Sequence, residues 1–406
     1  MELIELEEAI IQLTNHMKPQ SKTKKVDLLK ALNHHLAEDI YSPIAVPSFN
    51  RSAMDGYAVK ALETYGATEE KPVKLKVQSQ LNAGDFNECL FAEKQAIRIM
   101  TGAPIPDDFD AVVRQEDTNY GEEEVLIYIE VSPFTNYGKV GEDICKGQLI
   151  LKKSTYLSSI HIGILASLGI EQVEVLEPLK VGIISSGNEL TEIGKPLNSG
   201  KIYDSNRYVL ASRLQEMNVE LIFSHLTGDN IHEVAMLVKN TIDKVDILLT
   251  TGGVSVGKKD IMHDVFKELN AKRLFWRIHI RPGTPVLTNI YKDKLVLSLS
   301  GNPFAALTTF ELIFRPMLSA FTGSATYDYQ RTKAVLMNDF PKESKRRRFI
   351  RAYYESGQVF LINDKHESSV LSSMVGCNCF IDIKAGSPKL KKNDEVEIVK
   401  LCNKYY

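Results

Sequence analysis

"VDILLTTGG", residues 245–253, is an apolar run that ends in two threonines and a glycine pair. A short apolar run that stops at a glycine turn is typical of a strand buried on both faces. The same pattern recurs in "LKVGIISSG" at 179–187 and in "KLVLSLSGNP" at 294–303. Helical stretches such as "IHEVAMLVKNTI" alternate with these runs, and "RLFWRIHIRPG" at 273–283 is predicted to be one further strand. This alternation predicts an α/β domain over about 178–325, with a central parallel or mixed sheet and helices on both faces.

The rest of the chain is predicted to be multidomain and richer in strands. Residues 4–17 and about 158–168 have helical spacing, whereas about 45–143 and the segment from 328 onward are mostly strands separated by polar turns. A chain of 406 residues usually forms two to four domains. We therefore expect an α/β multidomain protein with β-rich flanking domains and an elongated helical and β part.

Composition limits the classes of function. With 44% hydrophobic and 25% charged residues the chain is expected to be globular, and a net charge of −3 gives no indication of nucleic-acid binding. The N-terminal "MELIELEEAI" is acidic and amphipathic, unlike a signal peptide, and no apolar run is expected to reach the length of a membrane span. Five scattered cysteines are predicted to be reduced thiols, which suits a cytoplasmic protein without a membrane partner.

The predicted strand ends carry the residues of an oxyanion site. Ligands of open parallel sheets bind outside the carboxyl ends of the strands. Glycine lets backbone N–H groups approach an anion closely, and the following helix N-termini are positive. One glycine turn is commonly a packing feature, but three in one sheet favour phosphate or another oxyanion. The chain matches neither the P-loop nor the dinucleotide-binding pattern. The candidate binding residues are Ser186, Gly187, Gly252, Gly253, Ser255, Ser300, Gly301 and Asn302.

Four acidic residues follow the same strand ends. Carboxylates repel a bound phosphate unless a cation lies between them, and Mg²⁺ held by carboxylates and phosphate oxygens removes that conflict. Asp204 and Asp229 each precede a predicted helix, so for each alone an N-cap is the simpler interpretation, although Asp229 is kept as a substrate-binding candidate. Glu189 and Asp260 lie closer to the glycine turns and are the predicted Mg²⁺ ligands.

A second unusual stretch is "PSFNRSAMDGYAVK" at 47–60, where two small residues and a methionine precede an Asp-Gly turn. Seven segments in this order resemble the molybdopterin molybdenumtransferase family, MoeA, which is related to the C-terminal part of gephyrin. They are "PSFNRSAMDGYAV", "RIMTGAPIP", "GEDI", "SSGNEL", "IYDSN", "TTGGVSVGKKD" and "SGNP". The resemblance covers nearly the whole chain, and its "SAMDGYA" and "TGGVSVG" runs are highly specific.

The resemblance implies a reaction and an architecture. Members insert molybdate into adenylylated molybdopterin in a magnesium-dependent step that releases AMP and yields the molybdenum cofactor. The family implies an elongated homodimer of four-part chains, and molybdopterin adenylyltransferase is a candidate partner. The four parts are predicted as 1–44 with 144–177, an elongated N-terminal domain; 45–143, the β-rich domain of the "SAMDGYA" segment; 178–325, the molybdopterin-binding domain; and 326–406, a C-terminal β domain.

The resemblance also assigns site residues. Asp55, Thr101 and Asp143 match residues of the family's active-site cleft, and Glu189 and Asp260 are predicted to be catalytic. Molybdate is a dianion, so Arg281 in "RPGTP" and Arg351 are predicted to bind it. Members commonly have Lys-Pro-Gly-Lys-Pro here, so Thr284 removes one charge, which Lys258 or Lys259 could supply. "KRRR" at 345–348 is interpreted as an exposed charged turn.

Two other functions are compatible with the sequence. Molybdopterin adenylyltransferases use the same type of sheet but usually stand alone as one domain. A gephyrin-like scaffold without catalysis is the third interpretation, and the acids at Asp55, Asp143, Glu189 and Asp260 argue against it. Molybdate and tungstate have nearly the same size and charge, so the sequence does not distinguish them.

Overall fold

The computed structural model describes residues 3–85, 92–254, 261–362 and 367–401. The chain forms two compact units. The larger unit contains Met1–Lys25, Asn33–Ala37 and Glu174–Tyr406, and the smaller unit contains Val26–Leu32 and Glu38–Val173.

The described residues form six α-helices and twenty-five strands. The α-helices are α1 (Leu6–Thr14), α2 (Ser159–Ser167), α3 (Asn206–Glu216), α4 (Ile231–Thr241), α5 (Met262–Glu268) and α6 (Pro303–Thr322). The strands are β1 (Thr23–Asp27), β2 (Ile40–Tyr41), β3 (Arg51–Ser52), β4 (Gly56–Val59), β5 (Val73–Leu81), β6 (Gln95–Ile99), β7 (Ala111–Arg114), β8 (Glu124–Ile127), β9 (Tyr137–Gly138), β10 (Leu149–Leu151), β11 (Gln172–Leu176), β12 (Lys180–Ser186), β13 (Leu190–Thr191), β14 (Ile202–Tyr203), β15 (Glu220–Thr227), β16 (Ile247–Thr251), β17 (Lys272–Trp276), β18 (Ile280–Arg281), β19 (Leu287–Tyr291), β20 (Lys294–Leu299), β21 (Arg331–Leu336), β22 (Arg347–Glu355), β23 (Gln358–Phe360), β24 (Cys379–Ile383) and β25 (Glu395–Lys400). Short 3-10 helices lie at Leu28–Ala31, Ala61–Thr64, Gln115–Asp117, Ile242–Lys244, Ala325–Tyr327 and Ser372–Met374.

The core of the larger unit is a six-stranded mixed sheet in the order β15-β12-β16-β20-β19-β17. Strands β15, β12, β16 and β20 are parallel, and β19 pairs antiparallel with both β20 and β17. Ser185 of β12 pairs with Thr251 of β16, which in turn pairs with Leu299 of β20. The carboxyl ends of three parallel strands therefore meet at one edge of the sheet.

Both faces of this sheet are covered by helices, as the apolar strands predict. Val181, Ile183 and Leu249 belong to a buried cluster with residues of α1, α3 and α6. Ile184 and Leu248 point the other way and pack with residues of α4 and α5. Successive strand residues alternate between faces, so a strand covered on both sides needs apolar residues throughout. The predicted α/β architecture is confirmed.

Helix α6 corrects one expectation from the sequence. With 20 residues, it is the one helix of the described ranges that is long and apolar enough to cross a membrane. We expected no apolar run of that length. However, 83% of its apolar window is buried within the protein, and it carries the buried side chains of Glu311 and Arg315. Its hydrophobicity is explained by its contacts with the sheet and with α3.

The C-terminal strands form a closed barrel, the predicted small β domain. Strand β22 pairs with both β23 and β24, and the series β22-β23-β21-β25-β24 thereby closes. The stretch 273–283, expected as one strand, divides into β17 in the central sheet and β18, which pairs with β22 of the barrel. The break occurs at Arg277, which has a φ of 76°. This division brings Arg281 beside the barrel.

The smaller unit is built around a five-stranded sheet in the order β7-β4-β6-β5-β8. Strand β4, the "GYAV" of the "SAMDGYA" segment, is buried throughout. A Cβ on Gly56 would lie 1.9 Å from the carbonyl oxygen of Val113, so this position requires glycine. The close approach of β4 and β7 fixes where the preceding Asp55 leaves the sheet.

The described cysteines are thiols, as predicted. Cys145 is exposed, and Cys377 and Cys379 are buried. Burial raises the pKa of Cys377 to about 11 and that of Cys379 to about 12, so both stay protonated near neutral pH. Cys89 and Cys402 lie outside the described residues.

Candidate active site

The carboxyl ends of β12, β16 and β20 open onto a cavity of about 680 Å³, the glycine-turn cavity. It brings together nine of the residues predicted to bind substrate or metal. They are Ser186, Gly187, Glu189, Asp229, Gly252, Gly253, Ser300, Gly301 and Asn302. The N-terminal residues of α3 and α6 also line it, so two helix dipoles direct positive potential into the cavity.

The backbone at the cavity wall is packed too closely for any residue but glycine. Gly252 has a φ of 94°, and a Cβ there would lie 2.2 Å from the carbonyl oxygen of Ser186. Gly253 follows with a φ of 63°. The N–H of Gly252 donates to the carbonyl of Leu299 at 3.2 Å, which ties the end of β16 to the end of β20. The turn therefore presents backbone rather than side chain to a ligand.

Asn206 holds the strand ends together and was not predicted from the sequence. Its side-chain amide donates to the carbonyl of Gly301 at 2.8 Å and to the hydroxyl of Thr251 at 3.2 Å. Asn206 is buried at the start of α3, within the segment "IYDSN". The available signal was a polar residue at the start of the predicted helix.

Two hydroxyl groups at the end of β12 lack partners. The side chains of Ser185 and Ser186 are buried, and neither Oγ atom has a hydrogen-bond partner among the described residues. Buried polar atoms are normally paired, so these two hydroxyls are available to water or to a bound ligand. Both can donate to phosphate oxygens or to a polar heterocycle.

The acidic residues around the cavity have different roles. The buried Asp204 accepts the backbone N–H of Arg207 at 3.2 Å and lies 3.1 Å from its guanidinium, so the capping interpretation holds. Asp229 instead exchanges hydrogen bonds of 3.1 Å with Asn188, and Asn230 caps α4. The capping interpretation of Asp229 is therefore wrong.

A magnesium site is compatible with the described acids. Within the described ranges, no group of three or more His, Cys, Asp and Glu residues is placed to hold a metal. Mg²⁺ commonly takes only one or two carboxylates and completes its shell with water and substrate phosphates. The exposed Glu189 and the half-buried Asp229 line one cavity and fit that mode. Asp260 lies outside the described residues, as do Ser255, Lys258 and Lys259.

A second cavity of about 340 Å³, the arginine cavity, adjoins the first. Pro285, Ser300 and Asn302 line both cavities. The charged side chains around the arginine cavity are those of Arg281, Lys342, Arg348, Arg351 and Glu367. Four cationic groups against one carboxylate make this a site for an anion. Both arginines predicted to bind molybdate are present here.

The two predicted arginines differ in how firmly their side chains are held. Arg351 is buried, its guanidinium lies 3.9 Å from the centre of the Phe304 ring, and it donates to the carbonyls of Glu367 at 3.0 Å and Val370 at 3.3 Å. Burial lowers its pKa, although arginine remains charged near neutral pH. Arg281 is exposed and can reorient toward an incoming anion.

The "KRRR" stretch is only partly the exposed turn that we predicted. Lys345 and Arg346 are exposed, but Arg347 and Arg348 are half-buried on β22. Arg347 pairs with Asp382 at 2.7 Å. Burial, and then the nearby charge of Arg281, lowers the pKa of Arg348. The expectation is wrong for these two arginines because the strand begins earlier than the charge pattern suggests.

Thr284 has a structural role in the "RPGTP" turn. Its hydroxyl donates to the carbonyl of Ile280 at 2.6 Å and closes the loop that carries Arg281. The residue that replaces the family's second lysine therefore contributes a hydrogen bond in place of a charge.

In the smaller unit, two predicted residues meet. Asp55 is exposed, and its Oδ1 accepts the backbone N–H and the hydroxyl of Thr101, both at 2.7 Å. These two hydrogen bonds, the backbone one first, lower the pKa of Asp55. Asp143 is exposed on a separate loop, where its N–H donates to the carbonyl of Val46 at 3.1 Å.

Comparisons with known proteins cover the chain from end to end. Three family models match in succession: "MoeA N-terminal region (domain I and II)" at residues 4–169, "Probable molybdopterin binding domain" at 182–320 and "MoeA C-terminal region (domain IV)" at 333–401. A protein of Haemophilus influenzae named molybdopterin molybdenumtransferase is 34% identical over 98% of both chains. A protein of Bacillus subtilis with that name is also 34% identical, over 98% of this chain and 94% of its own. The crystal structure of a molybdopterin biosynthesis MoeA protein from Pyrococcus horikoshii OT3 has a TM-score of 0.85 and 31% identity, covering 98% of this chain and all of that one.

Proposed function

The chain belongs to the MoeA family of molybdopterin molybdenumtransferases, and we propose that it inserts molybdate into adenylylated molybdopterin with release of AMP. One observation carries the proposal. A cavity with unpaired buried hydroxyls and glycine backbone adjoins a second cavity with four cationic side chains. This pair of sites suits a phosphorylated organic substrate beside a small dianion.

The glycine-turn cavity supports binding of the adenylylated substrate. The hydroxyls of Ser185 and Ser186 and the N-termini of α3 and α6 offer donors to phosphate oxygens. Glu189, together with Asp260 as predicted or with Asp229 of the same cavity, is proposed to supply the carboxylates that would hold Mg²⁺. When bound, the ion would neutralise the charge that grows on the departing AMP phosphate. Asn206 keeps the strand ends in register while that bond is broken.

The arginine cavity supports binding of molybdate. Arg351 is preorganised by Phe304 and two carbonyls, so its positive charge is held in place beside the cavity and little conformational entropy is lost on binding an oxyanion. Arg281 supplies a mobile second charge. Because Ser300 and Asn302 line both cavities, an anion held here lies next to the substrate site. Tungstate would fit the same donors.

The remaining parts of the proposal follow from the family. Asp55, Thr101 and Asp143 are proposed to act in the same reaction. The protein is proposed to be a cytoplasmic homodimer, with molybdopterin adenylyltransferase as the supplier of substrate. Sedimentation equilibrium tests the dimer, since it should report twice the 45.6 kDa of one chain.

Product analysis tests the reaction and separates it from the alternatives. Purified protein is given adenylylated molybdopterin, molybdate and Mg²⁺, and products are identified by mass spectrometry. We expect one AMP for each molybdenum cofactor, and much slower release when Mg²⁺ is chelated. A parallel sample receives molybdopterin and ATP. Formation of adenylylated molybdopterin there would favour adenylyltransferase activity, and no product in either sample would favour a scaffold.

A further inference from the structure

Trp276 contacts the wall of the glycine-turn cavity from outside. It ends strand β17, and its indole N–H donates to the carbonyl oxygen of Val254 at 3.3 Å. Val254 is buried, lines the cavity and directly follows the Gly252–Gly253 turn. Two successive glycines give the backbone a wide range of conformations, so a contact directly after them limits the conformations of the turn.

Two backbone hydrogen bonds also hold this turn. The N–H of Gly252 donates to the carbonyl of Leu299 at 3.2 Å, and the N–H of Met262 donates to the carbonyl of Gly253 at 3.1 Å. The first bond anchors the entry of the turn and the second anchors its middle. Trp276 adds a side-chain anchor at its exit.

The indole is itself held in place. The ring of His263 meets it edge-on, with centroids 4.5 Å apart and planes at 83°, and the guanidinium of Arg277 lies 5.4 Å from the centre of its ring. His263 on α5 contacts the guanidinium of Arg273 through Nδ1 at 3.1 Å. The N–H of Trp276 is therefore kept directed at Val254, which a mobile surface side chain would not achieve.

The same strand end leads to the arginine cavity. The N–H of Arg277 donates to the carbonyl of Val286, and that of Ile278 to the carbonyl of Thr284, both at 2.9 Å. These bonds form the base of the loop that carries Arg281. Trp276 thus lies between the glycine turn of one cavity and the arginine loop of the other.

We propose that Trp276 is a positioning residue that holds the Gly252–Gly253 turn, through the carbonyl of Val254, in the conformation that binds the phosphorylated substrate. Only the identity of that substrate rests on the proposed function. The anchoring itself is a property of the turn and can be measured without a ligand.

The sequence contains a single tryptophan, so an analogue supplied in place of tryptophan changes this position alone. In Trp276→3-benzothienylalanine, sulfur replaces the N–H while the bicyclic shape and the contact with His263 are kept. In Trp276→5-fluorotryptophan, the N–H is kept, which makes it the matched control. Both are prepared as the full chain.

The first measurement is amide hydrogen exchange at Gly252 and Met262, the two backbone donors that report the turn. A neutral hydrogen bond contributes about 0.5–1.5 kcal/mol, so exchange should be about 2- to 10-fold faster without the indole N–H. Exchange at Leu249, in the middle of β16, should be the same in both proteins. Equal exchange at Gly252 and Met262 in the two proteins would overturn the anchoring.

The second measurement is the dissociation constant for AMP by calorimetry. It should be about 2- to 10-fold larger for the benzothienyl protein than for the control. Equal binding by both proteins would overturn the positioning role, even if exchange differed. If neither protein binds AMP but exchange differs as expected, the proposed substrate is wrong and the anchoring by Trp276 stands.

Discussion

Arg281 is an exposed charge of the arginine cavity, and Arg351 is its buried, preorganised neighbour. Both were predicted from sequence as anion contacts because a dianion needs cationic donors. Their difference in burial was not predicted, since it depends on β22 and the loop at 367–370, which lie far along the chain. Arg351 is thus suited to hold the bound anion in place, and Arg281 is suited to make the first contact with it.

Arg281→Ala should raise the molybdate concentration needed for half-maximal AMP release by about 10- to 150-fold, because hydrogen bonds to charged groups contribute about 1.5–3 kcal/mol. The maximal rate should change less, since the buried arginine remains. Arg346→Ala removes an exposed charge that does not line the cavity and is the control. The same molybdate dependence in the Arg281 variant as in the control would place the anion elsewhere.

Thr101→Val should raise the pKa of Asp55 part of the way to its ordinary value. The variant removes the hydroxyl donor but keeps the backbone N–H, which is the larger cause of the lowered pKa. Since the folded-state pKa is depressed, this pair stabilises the fold above the ordinary carboxyl pKa, and the contribution is lost as pH falls through the depressed value. Carbon-13 NMR titration of the carboxyl groups measures the change.

Asp382 serves as the internal reference for that titration. Burial raises the pKa of Asp382, but hydrogen bonds from Arg347 and Arg331 outweigh burial and hold that pKa low. None of these causes involves Thr101, so the Thr101 variant should not change the pKa of Asp382. An unshifted Asp55 signal would mean that the hydroxyl contributes nothing to the carboxylate.

Gly252→Ala should abolish activity and lower stability more than the matched change Gly357→Ala. Both glycines have a φ near 90°, at 94° and 86°, so both variants carry the backbone strain of a left-handed alanine. Only at Gly252 would the added Cβ meet a backbone oxygen, that of Ser186 at 2.2 Å; at Gly357 it meets open space. Thermal unfolding and AMP release compare the pair, and equal losses would show that the close approach is unimportant.

At the scale of elements, strands and helices of the central sheet were predictable because their signal is local. Apolar runs and helical periodicity identify β12, β16, β20 and α4 without knowledge of their neighbours. The stretch that became β17 and β18 was mispredicted as one strand because its division depends on the separate partners β19 and β22.

Helix α6 depends on a buried ion pair. Glu311 accepts from the guanidinium of Arg213 on α3 at 2.6 Å, and side-chain exposure is 2% and 5% respectively. Glu311→Gln should lower the free energy of unfolding by about 1.5–3 kcal/mol, because it removes the buried one of the two carboxylates that pair with Arg213 and leaves the more exposed Glu216. Urea unfolding followed by the fluorescence of Trp276, in the same unit, measures the loss.

The matched control is Glu395→Gln, which breaks an exposed pair with Lys333 on the barrel. Exposed pairs contribute about 0–1 kcal/mol, so that variant should unfold almost as the parent does. A similar small effect for both variants would mean that the Arg213 charge is satisfied without Glu311.

For the whole molecule, the sequence predicted the residue types of the site better than it predicted how those residues contact one another. Glycines and hydroxyls at strand ends predicted an oxyanion site, and nine of the predicted residues line one cavity in the structure. Two residues were missed because their partners are distant in sequence. Asn206 connects the strand ends by hydrogen bonds, and Arg348 lines the arginine cavity. The grouping of the chain into four parts stays a prediction.

Molybdate is proposed to bind in the arginine cavity, beside the glycine-turn cavity. Anomalous diffraction at the molybdenum edge, from crystals soaked in molybdate and AMP, tests this placement. We expect one strong peak between the guanidinium groups of Arg281 and Arg351, on the side of Ser300. A strong peak elsewhere, or no peak in this cavity at a molybdate concentration that saturates AMP release, would contradict it.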